Sequence, residues 1–491
     1  MPNHGGSDKG RARSTLHRPI VDDHVLVLFG ATGDLAQRKI LPGLFHLHTA
    51  GLLPKGFRIV GSAPSIGAPS EAEFRAHARA AIDRFAAPKP TTQTWPGFEK
   101  LLGFAAADST DASQLVAAVK AAESAIGGQP RRLFHLAVPP AAFTAVIGML
   151  GSSGLAERGR VIVEKPFGSD LASARALNQA IHAVFDEERV FRIDHFLGKE
   201  SVDNILALRF ANGLFEPIWN RDHVAYVQID VPETLSIEGR AGFYDVTGAF
   251  RDMVVTHLLQ VLGFVAMEPP TNLGAKALAS EKQKVFESLR PIDPSKTVFG
   301  QYAGYLKEPG VAPGSATETF VATRVEVENW RWAGVPFYLR TGKAMRASHQ
   351  RVVLGFKEPV LRMFPTDARA KSAGLNEVVI DFADPGSITS RFLAKEPGPQ
   401  MHLGPAQMVF HYSDSFTAAN GLAGYERLIL EAMLGDRSLF TSADQVERLW
   451  EVSALLLAHP PAPESYAAGS WGPRSIAALV APYHWPDSEE H

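Results

Sequence analysis

The chain has 491 residues, of which 45% are hydrophobic and 21% are charged. That length corresponds to two or three domains of roughly 150 residues each. The composition is that of a folded globular protein, which excludes wholesale disorder, a fibrous repeat and a coiled coil as the main architecture. The formal net charge of -3 creates no overall field for nucleic acid or an anionic membrane. We therefore expect neither as a partner.

The sequence contains no cysteine and 17 histidines. Disulfides, thiolate metal sites, iron–sulfur clusters and cysteine nucleophiles are thereby excluded, and histidine becomes the side chain suited to proton chemistry near neutral pH. No metal site is predicted. Residues 1–19 are polar and basic and lack the apolar core of a secretory signal. We expect a disordered tail, no membrane span and cytoplasmic residence.

From residue 20 to residue 200, short continuous apolar runs alternate with helical patterns. Such alternation is typical of a parallel sheet with crossover helices, and continuous apolar strands indicate a sheet that is covered on both faces. The predicted strands are residues 25–29, 57–60, 133–138, 161–163 and 190–193, and an apolar stripe at Phe143, Val146, Ile147 and Leu150 predicts a helix. This part is predicted to be a doubly wound, Rossmann-like α/β domain that binds a dinucleotide.

From residue 201 to residue 491 the apolar pattern alternates more, which favours a mainly antiparallel sheet. The predicted strands are residues 223–231, 319–327, 336–340, 351–356 and 377–382, and the predicted helices are residues 251–263, 276–289, 421–434 and 443–458. We expect a larger α+β domain for substrate binding and oligomerisation, with the boundary near residues 195–210.

The first predicted strand runs directly into GATGDLA at residues 30–36. Glycines at positions 30 and 33 allow a tight turn that approaches a pyrophosphate, although an ordinary strand-to-helix turn would also accommodate them. The second strand ends in IVGSAPS (residues 59–65), which has neither an acidic residue for a ribose hydroxyl nor an arginine for a 2′-phosphate. Thr32, Ser62 and Ser65 would suit either ribose, so the choice between NADP and NAD stays open.

Two further strand ends carry AVPP (residues 137–140) and EKPFG (residues 164–168). Ligands bind at the carboxyl ends of the strands in such sheets, so Lys165 is placed to reach a sugar hydroxyl and the edge of a cofactor. The alternative is a surface lysine paired with Glu164.

The segment RIDHFLGKE (residues 192–200) concentrates candidate ligands. If it is helical after the strand, His195 and Lys199 project from one face and share a phosphate. The alternative is a solvated helix start.

His257 lies among apolar residues in RDMVVTHLLQ (residues 251–260). A lone histidine on such a helix is more often a core residue than a base. Asp194 at a strand end is placed to orient an imidazole, and Asp252 at the start of the same helix is placed to accept from sugar hydroxyls. Both strengthen the case for a base.

Taken together, these segments resemble the glucose-6-phosphate dehydrogenase family over roughly residues 25 to 480. The matching motifs are GATGDLAQRKILP (30–42), EKPFG (164–168), RIDHFLGKE (192–200), FANGLFEPIWNRDHV (210–224), EGRAGFYD (238–245), RDMVVTHLLQ (251–260) and LRTGKAM (339–345). IDHFLGKE together with RDxxxxHLLQ is highly specific, whereas EKP occurs in several sugar dehydrogenases.

The resemblance implies oxidation of glucose 6-phosphate at C1 to a 6-phosphogluconolactone, the first step of the oxidative pentose phosphate pathway, with NADP, and also NAD, as the hydride acceptor. It implies that His257 is the general base and Asp194 its orienting carboxylate. The implied substrate ligands are Lys165, His195, Lys199, Glu233, Asp252 and Lys343. The implied cofactor contacts are Gly30, Ala31, Thr32, Gly33, Asp34, Leu35, Pro139 and Lys165. A homodimer or homotetramer built through the large sheet is expected.

Four departures from the family pattern bear on these roles. Phe196 replaces a tyrosine that binds phosphate, which predicts weaker sugar-phosphate binding. Pro64 replaces an arginine after the second strand, which weakens the case for strict NADP preference. Ser348 stands where a second lysine or arginine follows Lys343, and Arg346 is a candidate substitute. The family's Gln-Pro is absent around Ala383 and Asp384, so no sugar contact is assigned there.

Two alternatives stay open from the sequence. One is a dehydrogenase of another aldose or aldose phosphate, which the departures on the substrate side favour. The other is a slow, redox-responsive protein that binds nucleotide and sugar phosphate. The retention of both Asp194 and His257 argues against a pure binding protein, because binding needs no base.

Overall fold

The computed structural model describes residues 20–198, 200–361, 363–364, 376–383, 386–415 and 422–485. The predicted tail at residues 1–19, Lys199 and Asp384 lie outside the described residues.

The first part of the chain forms a six-stranded parallel sheet. Its strands are β1 (His24–Phe29), β2 (Phe57–Ser62), β3 (Leu102–Phe104), β4 (Arg131–Leu136), β5 (Gly159–Val163) and β6 (Val190–Arg192), in the order β3-β2-β1-β4-β5-β6. The prediction missed β3, in which only Leu102 is buried, so that the strand carries no continuous apolar run. This order reverses between β1 and β4, which creates the crevice where doubly wound sheets bind ligands.

Alternate residues of β1 explain why the sheet strands are continuously apolar. Val25 and Val27 enter one buried core, whereas Leu26 and Leu28 enter another on the opposite face. Helices cover both faces, and they span Leu41–Thr49, Glu71–Phe85, Trp95–Glu99, Ser113–Ile126, Phe143–Ser152 and Leu171–His182, with a π-helical turn at Ala36–Ile40. The predicted doubly wound domain is confirmed by this two-sided packing.

The second sheet has nine strands among the described residues. They are β7 (Val224–Pro232), β8 (Thr297–Tyr302), β9 (Phe320–Glu326), β10 (Pro336–Gly342), β11 (Arg351–Phe356), β12 (Glu377–Asp381), β13 (Ser387–Lys395), β14 (Leu403–His411) and β15 (Glu464–Tyr466). The order is β14-β13-β12-β11-β7-β10-β9-β8-β15. Pairing is antiparallel except between β7 and β10 and between β8 and β15. The prediction of a mainly antiparallel sheet is confirmed.

Helices of the second part pack on both sheets. They span Glu200–Phe210, Ala241–Ala249, Leu259–Ala266, Ala275–Glu287, Tyr412–Ser415, Gly424–Leu434, Ala443–Ala458 and Ile476–Val480, with π-helical turns at Phe250–Leu258. Helix Gly424–Leu434 returns to the first sheet, where Leu428 and Ile429 join the core of Leu26 and Leu28. His46 Nδ1 lies 2.8 Å from Glu426 Oε2 across this contact. The two parts of the chain therefore share a core.

The stretch Ala241–Ala266 is, among the described residues, the one helical stretch long and apolar enough to cross a membrane by length and composition. Within the protein, 83% of its most apolar part is buried. Gly248 interrupts it with a φ of 71° and a ψ of 169°, and the Phe250 N–H then donates to the buried Glu318 Oε1 at 2.9 Å. This is the packing of a core helix with a capped start.

The turn after β1 needs glycine at position 30. Gly30 has a φ of +70°, and a Cβ there would lie 2.2 Å from the carbonyl oxygen of Ala137. We predict that Gly30→Ala lowers the free energy of unfolding by about 3 kcal/mol, because a left-handed conformation and a backbone clash add together. Chemical denaturation measures this.

Gly67→Ala is the matched control. Gly67 has a φ of +75°, and no atom of the described residues lies within 4 Å of a Cβ built there. This variant is expected to lose only about 1 kcal/mol. Equal losses in the two variants would contradict a steric role for the Ala137 carbonyl.

Candidate active site

The turn at residues 30–35 lies at the crevice between β1 and β4. The N–H groups of Gly30 and Ala31 donate to the Ser62 carbonyl oxygen at 3.0 and 3.2 Å, and the Gly33 N–H donates to the Gly30 carbonyl oxygen at 2.9 Å. These bonds fix a tight turn directly before a helix start, whose first N–H groups have no partner within the helix. Because Gly30 has no side chain, the residue that follows β4, Ala137, can pack closely against the turn. The unpaired N–H groups at the helix start suit an anion such as a pyrophosphate.

The remaining predicted cofactor contacts lie at the same end of the sheet. Thr32 accepts from Gln37 Nε2 through its carbonyl oxygen at 2.9 Å, and Asp34 pairs with Arg38 at 2.6 Å on the surface. Pro139 follows β4 and precedes a short 3₁₀ turn, Pro140–Ala142. Ala31 is buried and Leu35 partly buried beside these groups.

An acidic residue that the sequence reading missed stands beyond the end of β2. Asp108 Oδ1 accepts from the Ser65 N–H at 3.0 Å, next to the exposed Pro64. Hydrogen bonds from Ser65 lower the pKa of the Asp108 carboxyl, so it is anionic at neutral pH. It escaped notice because it follows β3, the strand that the apolar pattern did not reveal. It lies beside the residues that follow β2, the strand end at which such folds distinguish the two riboses.

Lys165, His257 and Asp194 form one hydrogen-bonded chain. His257 Nδ1 lies 2.6 Å from Asp194 Oδ1, and Lys165 Nζ lies 2.9 Å from His257 Nε2 and 3.0 Å from Asp252 Oδ1. The residues come from three places: Lys165 follows β5, Asp194 follows β6, and His257 and Asp252 lie on the π-helical turns. Such turns are frequent at functional sites.

The partners of His257 determine its tautomer. A lysine ammonium only donates, so Nε2 accepts and carries no proton; an ionised carboxylate only accepts, so Nδ1 carries the proton. The structure therefore holds His257 as a neutral imidazole with a lone pair on Nε2. That is the form in which histidine acts as a base.

Hydrogen bonds favour an anionic Asp194 in spite of its burial. Asp194 is 1% exposed and His257 is 0% exposed. Burial opposes the charged carboxylate, but the hydrogen bonds from His257 and from the Phe196 N–H stabilise it, and the pKa of Asp194 is lowered. Asp252 behaves likewise, since the charge of Lys165 overcomes burial and lowers its pKa. Both carboxylates are ionised at neutral pH.

Glu164 does not pair with Lys165, so that alternative is wrong. Its Oε1 lies 2.7 Å from His135 Nε2, and its Oε2 accepts from Tyr425 O–H at 3.1 Å. The two partners come from β4 and from helix Gly424–Leu434. The Glu164 side chain therefore anchors the strand end that carries Lys165, a role that no sequence pattern signalled because its partners are remote in the chain.

The segment after Asp194 is a turn and not a helix as far as residue 198. The expectation that His195 and Lys199 share a helix face is therefore wrong for His195. The chain turns because the Leu197 N–H donates to the Asp194 carbonyl oxygen at 3.0 Å, and the helix begins at Glu200. The His195 ring nevertheless lies 5.1 Å from the His257 ring.

Phe196 has a contact that the sequence did not foretell. Its ring stacks on the His257 imidazole at 4.4 Å between centroids and 21° between planes.

The atoms of Asp194, His195 and His257 that could ligate a metal lie within 4.8 Å of one another. The expectation that no metal binds here stays a prediction.

Glu233 and Lys343 form an ion pair at the adjacent ends of β7 and β10. The two strands are parallel, with Gly342 beside Pro232, so both side chains leave the same edge. Lys343 Nζ also lies 5.9 Å from the Tyr244 ring, and its charge acts on Asp252. The pair therefore faces the Lys165 and His257 group.

The departures on the substrate side are partly explained by backbone contacts. Ser348 Oγ accepts from the Thr234 N–H at 2.8 Å, so it braces the segment after Glu233. Arg346 is exposed, and its backbone N–H donates to the Ser470 carbonyl oxygen at 2.9 Å. The Ala383 N–H donates to Asp381 Oδ1 at 3.0 Å.

A doubly wound sheet with a glycine turn at its crevice, together with a buried histidine held between a carboxylate and a lysine, is the arrangement of a dinucleotide-dependent oxidoreductase. Comparisons with known proteins specify the class. The family model "Glucose-6-phosphate dehydrogenase, NAD binding domain" matches residues 27–204, and "Glucose-6-phosphate dehydrogenase, C-terminal domain" matches residues 206–486. The chain belongs to the glucose-6-phosphate dehydrogenase family, which confirms the resemblance seen in the motifs.

Similar proteins span nearly the whole chain. Glucose-6-phosphate 1-dehydrogenase 2 of Mycobacterium tuberculosis H37Rv is 42% identical over 480 residues, covering 93% of this chain and 92% of its own. A crystal structure of glucose-6-phosphate 1-dehydrogenase from Mycobacterium avium has a TM-score of 0.84 at 35% identity, covering 94% and 98%. Glucose-6-phosphate dehydrogenase in complex with its substrate glucose-6-phosphate has a TM-score of 0.87 at 31% identity, covering 95% and 99%.

Proposed function

We propose that the protein oxidises D-glucose 6-phosphate at C1 to 6-phospho-D-glucono-1,5-lactone and transfers the hydride to NADP, or to NAD, as the first step of the oxidative pentose phosphate pathway in the cytoplasm. The observation that carries the proposal is the placement of His257, whose Nδ1 lies 2.6 Å from Asp194 Oδ1 and whose Nε2 lies 2.9 Å from Lys165 Nζ. A relative solved in complex with glucose-6-phosphate supports the choice of substrate.

The chemistry needs a base because a sugar hydroxyl is a weak acid. His257 Nε2 takes the C1 hydroxyl proton when the hydroxyl replaces Lys165 as its hydrogen-bond partner. A bound nicotinamide nucleotide supplies the acceptor for the hydride that leaves C1. Loss of the proton from O1 and the hydride from C1 produces the lactone carbonyl. Asp194 stabilises the imidazolium as it forms.

The other site residues surround the sugar phosphate in this proposal. Lys165, Asp252, Glu233 and Lys343 bind sugar hydroxyls, and His195 and Lys199 bind the phosphate. The close packing of Lys165 with Asp252 and of Lys343 with Glu233 supports the first assignment. Lys199 lies outside the described residues, so the phosphate assignment is supported by the family motif alone.

The cofactor contacts are the turn at residues 30–35, Pro139 and Lys165. The domain division at residue 200 places this turn in a dinucleotide-binding domain (20–200) and His257 in a substrate and oligomerisation domain (201–491). The site therefore forms where the two domains meet.

Replacing His257 by asparagine tests the base directly. His257→Asn is expected to lower kcat by at least about 10²-fold, since a positioned base contributes about 10²–10⁴-fold, while KM for glucose 6-phosphate stays within about threefold. Steady-state kinetics measures both. The control is His182→Asn, an exposed histidine paired with Glu187. An unchanged kcat in His257→Asn would remove the residue from the mechanism.

Asp108 and Pro64 predict a modest preference between NADP and NAD. A carboxylate repels a 2′-phosphate and accepts from ribose hydroxyls. Asp108→Asn is expected to raise the ratio of kcat/KM for NADP to that for NAD by about tenfold. Asp111→Asn, on the same loop, serves as the control. An unchanged ratio, or a wild-type preference of a thousandfold for NADP, would contradict this assignment.

We propose a homodimer or homotetramer built through the large sheet, because the edge strand of that sheet exposes apolar side chains. β14 ends the strand order, and Met408 and Val409 on it are 63% and 42% exposed. Light scattering at micromolar concentration is expected to give two or four chains, and Met408→Lys is expected to shift the population toward one chain. A monomeric wild type would overturn the proposal.

A further inference from the structure

Tyr466 is a buried tyrosine whose hydroxyl the proposed mechanism does not use. It lies in β15, at one end of the strand order of the large sheet, and it is 4% exposed. That order places β8 and β9 between β15 and β10. The Tyr466 side chain nevertheless reaches the end of β10, where its O–H donates to the Lys343 carbonyl oxygen at 2.7 Å. A residue of an edge strand therefore contacts the backbone of a residue that is assigned to the sugar site.

Thr319, the residue before β9, extends this contact into a chain of hydrogen bonds. Its carbonyl oxygen accepts from the Lys343 N–H at 2.8 Å and lies 3.3 Å from the Tyr466 hydroxyl. Its Oγ1 lies 3.0 Å from the Tyr466 hydroxyl oxygen and accepts from the Tyr302 N–H at 3.0 Å. A carbonyl oxygen only accepts, and a tyrosine hydroxyl carries one proton. Thr319 therefore donates to Tyr466, and Tyr466 donates to Lys343.

The turn that Tyr466 contacts has a strained backbone. Ala344 has a φ of 51°, a left-handed conformation that costs free energy in a residue with a Cβ. The Ala344 N–H donates to the Leu235 carbonyl oxygen at 2.8 Å, and the Gly469 N–H donates to the Ala344 carbonyl oxygen at 2.8 Å. Strained conformations persist only where the surrounding structure determines them, and they cluster at ligand sites. The turn therefore depends on the segment after Glu233 and on the segment after Tyr466.

This turn determines where the Lys343 side chain leaves the end of β10. Lys343 is 7% exposed, and its ammonium pairs with Glu233. The Glu233 N–H donates to the Gly342 carbonyl oxygen at 2.9 Å, and the Met345 N–H donates to the Glu233 carbonyl oxygen at 2.9 Å. These bonds fix the backbone before and after Lys343. Tyr466 fixes the carbonyl oxygen of Lys343 itself, so loss of its hydroxyl loosens the backbone at the base of the lysine side chain.

We propose that Tyr466 is a positioning residue for Lys343, whose hydroxyl holds the strained turn and thereby keeps the Lys343 ammonium where the sugar binds. The proposal rests on the proposed function, in which Lys343 binds a sugar hydroxyl. Burial raises the pKa of the Tyr466 hydroxyl, so the group keeps its proton near neutral pH. Tyr466 therefore acts on the binding of the sugar and leaves the titration of His257 unchanged.

Tyr466→Phe is the first test variant. It removes the hydroxyl and keeps the ring, which packs edge-on against Phe320 at 5.6 Å between centroids. KM for glucose 6-phosphate is expected to rise about fivefold, the order of effect of one hydrogen bond. Because Lys343 binds substrate and transition state alike, kcat is expected to stay within about twofold. The acid limb of kcat and KM for the nucleotide are expected to stay unchanged. Steady-state kinetics across the pH range measures all four quantities.

Tyr226→Phe is the matched control. Tyr226 is another buried tyrosine of the large sheet, and its O–H donates to Glu377 Oε1 at 2.6 Å. It lies near the start of β7, whereas Glu233 follows the end of that strand. The control is expected to lower Tm and to leave KM for glucose 6-phosphate unchanged. If Tyr466→Phe likewise lowers Tm and keeps the wild-type KM, the Tyr466 hydroxyl has a structural role only, and the proposal is overturned.

Thr319→Val breaks the chain one bond earlier. Valine has a similar shape but cannot donate to the Tyr466 hydroxyl, so KM for glucose 6-phosphate is expected to rise about threefold. This variant decides the question if Tyr466→Phe fails to fold. A wild-type KM in Thr319→Val would then contradict the proposal.

A double-mutant cycle shows whether Tyr466 acts through Lys343. Lys343→Met alone is expected to raise KM for glucose 6-phosphate about tenfold, because a charged hydrogen bond is lost. Adding Tyr466→Phe is then expected to change KM by less than about 1.5-fold, since residues that act through one interaction are not additive. An undiminished effect of Tyr466→Phe in the Lys343→Met background would overturn the proposal.

Failure of the proposed function gives a different result. A wild-type KM in Lys343→Met would remove Lys343 from the sugar site, and the positioning role of Tyr466 would be lost with it. A raised KM in Lys343→Met together with a wild-type KM in Tyr466→Phe would remove only the role of Tyr466.

Discussion

The hydrogen-bonded chain from Lys165 through His257 to Asp194 constrains the rest of the structure. Its members leave the ends of β5 and β6 and a helix of the second part of the chain, so their distances hold only if both parts pack in one relative orientation. That explains the extensive shared core. Helix Gly424–Leu434 covers the first sheet, and its Tyr425 reaches Glu164, the neighbour of Lys165. The packing of this helix thus holds the strand end that carries Lys165, and the Lys165 ammonium in turn determines the tautomer of His257.

The local charges balance although they are buried. Asp194 pairs with His257, Asp252 pairs with Lys165, and Glu233 pairs with Lys343. A near-neutral protein can therefore hold an anionic ligand with a few placed groups, because the field that matters is short in range and little screened by solvent. Phe196 adds an apolar wall on one face of the imidazole, which keeps water from the ring while leaving Nε2 to its polar partner.

Much of this could be predicted from the sequence, and particular residues show where prediction ended. Continuous apolar runs revealed five strands of the first sheet, because those strands are buried on both faces. β3 and β15 have one buried residue each and carry no such pattern. β8, β13 and β14 of the second sheet were also not predicted. Motifs located His257, Asp194 and Lys165, since each lies within a recognisable segment. Asp108 and Tyr425 escaped, because what makes them matter is a contact with residues that are tens to hundreds of positions away in the chain. His195 was placed on a helix that the Leu197 turn prevents.

The central claim is that the resting enzyme holds His257 neutral, with its proton on Nδ1 and a bare Nε2. Nitrogen-15 NMR of histidine-labelled protein at pH 7 tests it most directly, with His257→Asn used to assign the signals. The account predicts one protonated nitrogen coupled to Asp194 and one unprotonated nitrogen whose shift changes in Lys165→Met. A proton on Nε2, or an imidazolium with both nitrogens protonated at pH 7, would contradict the account.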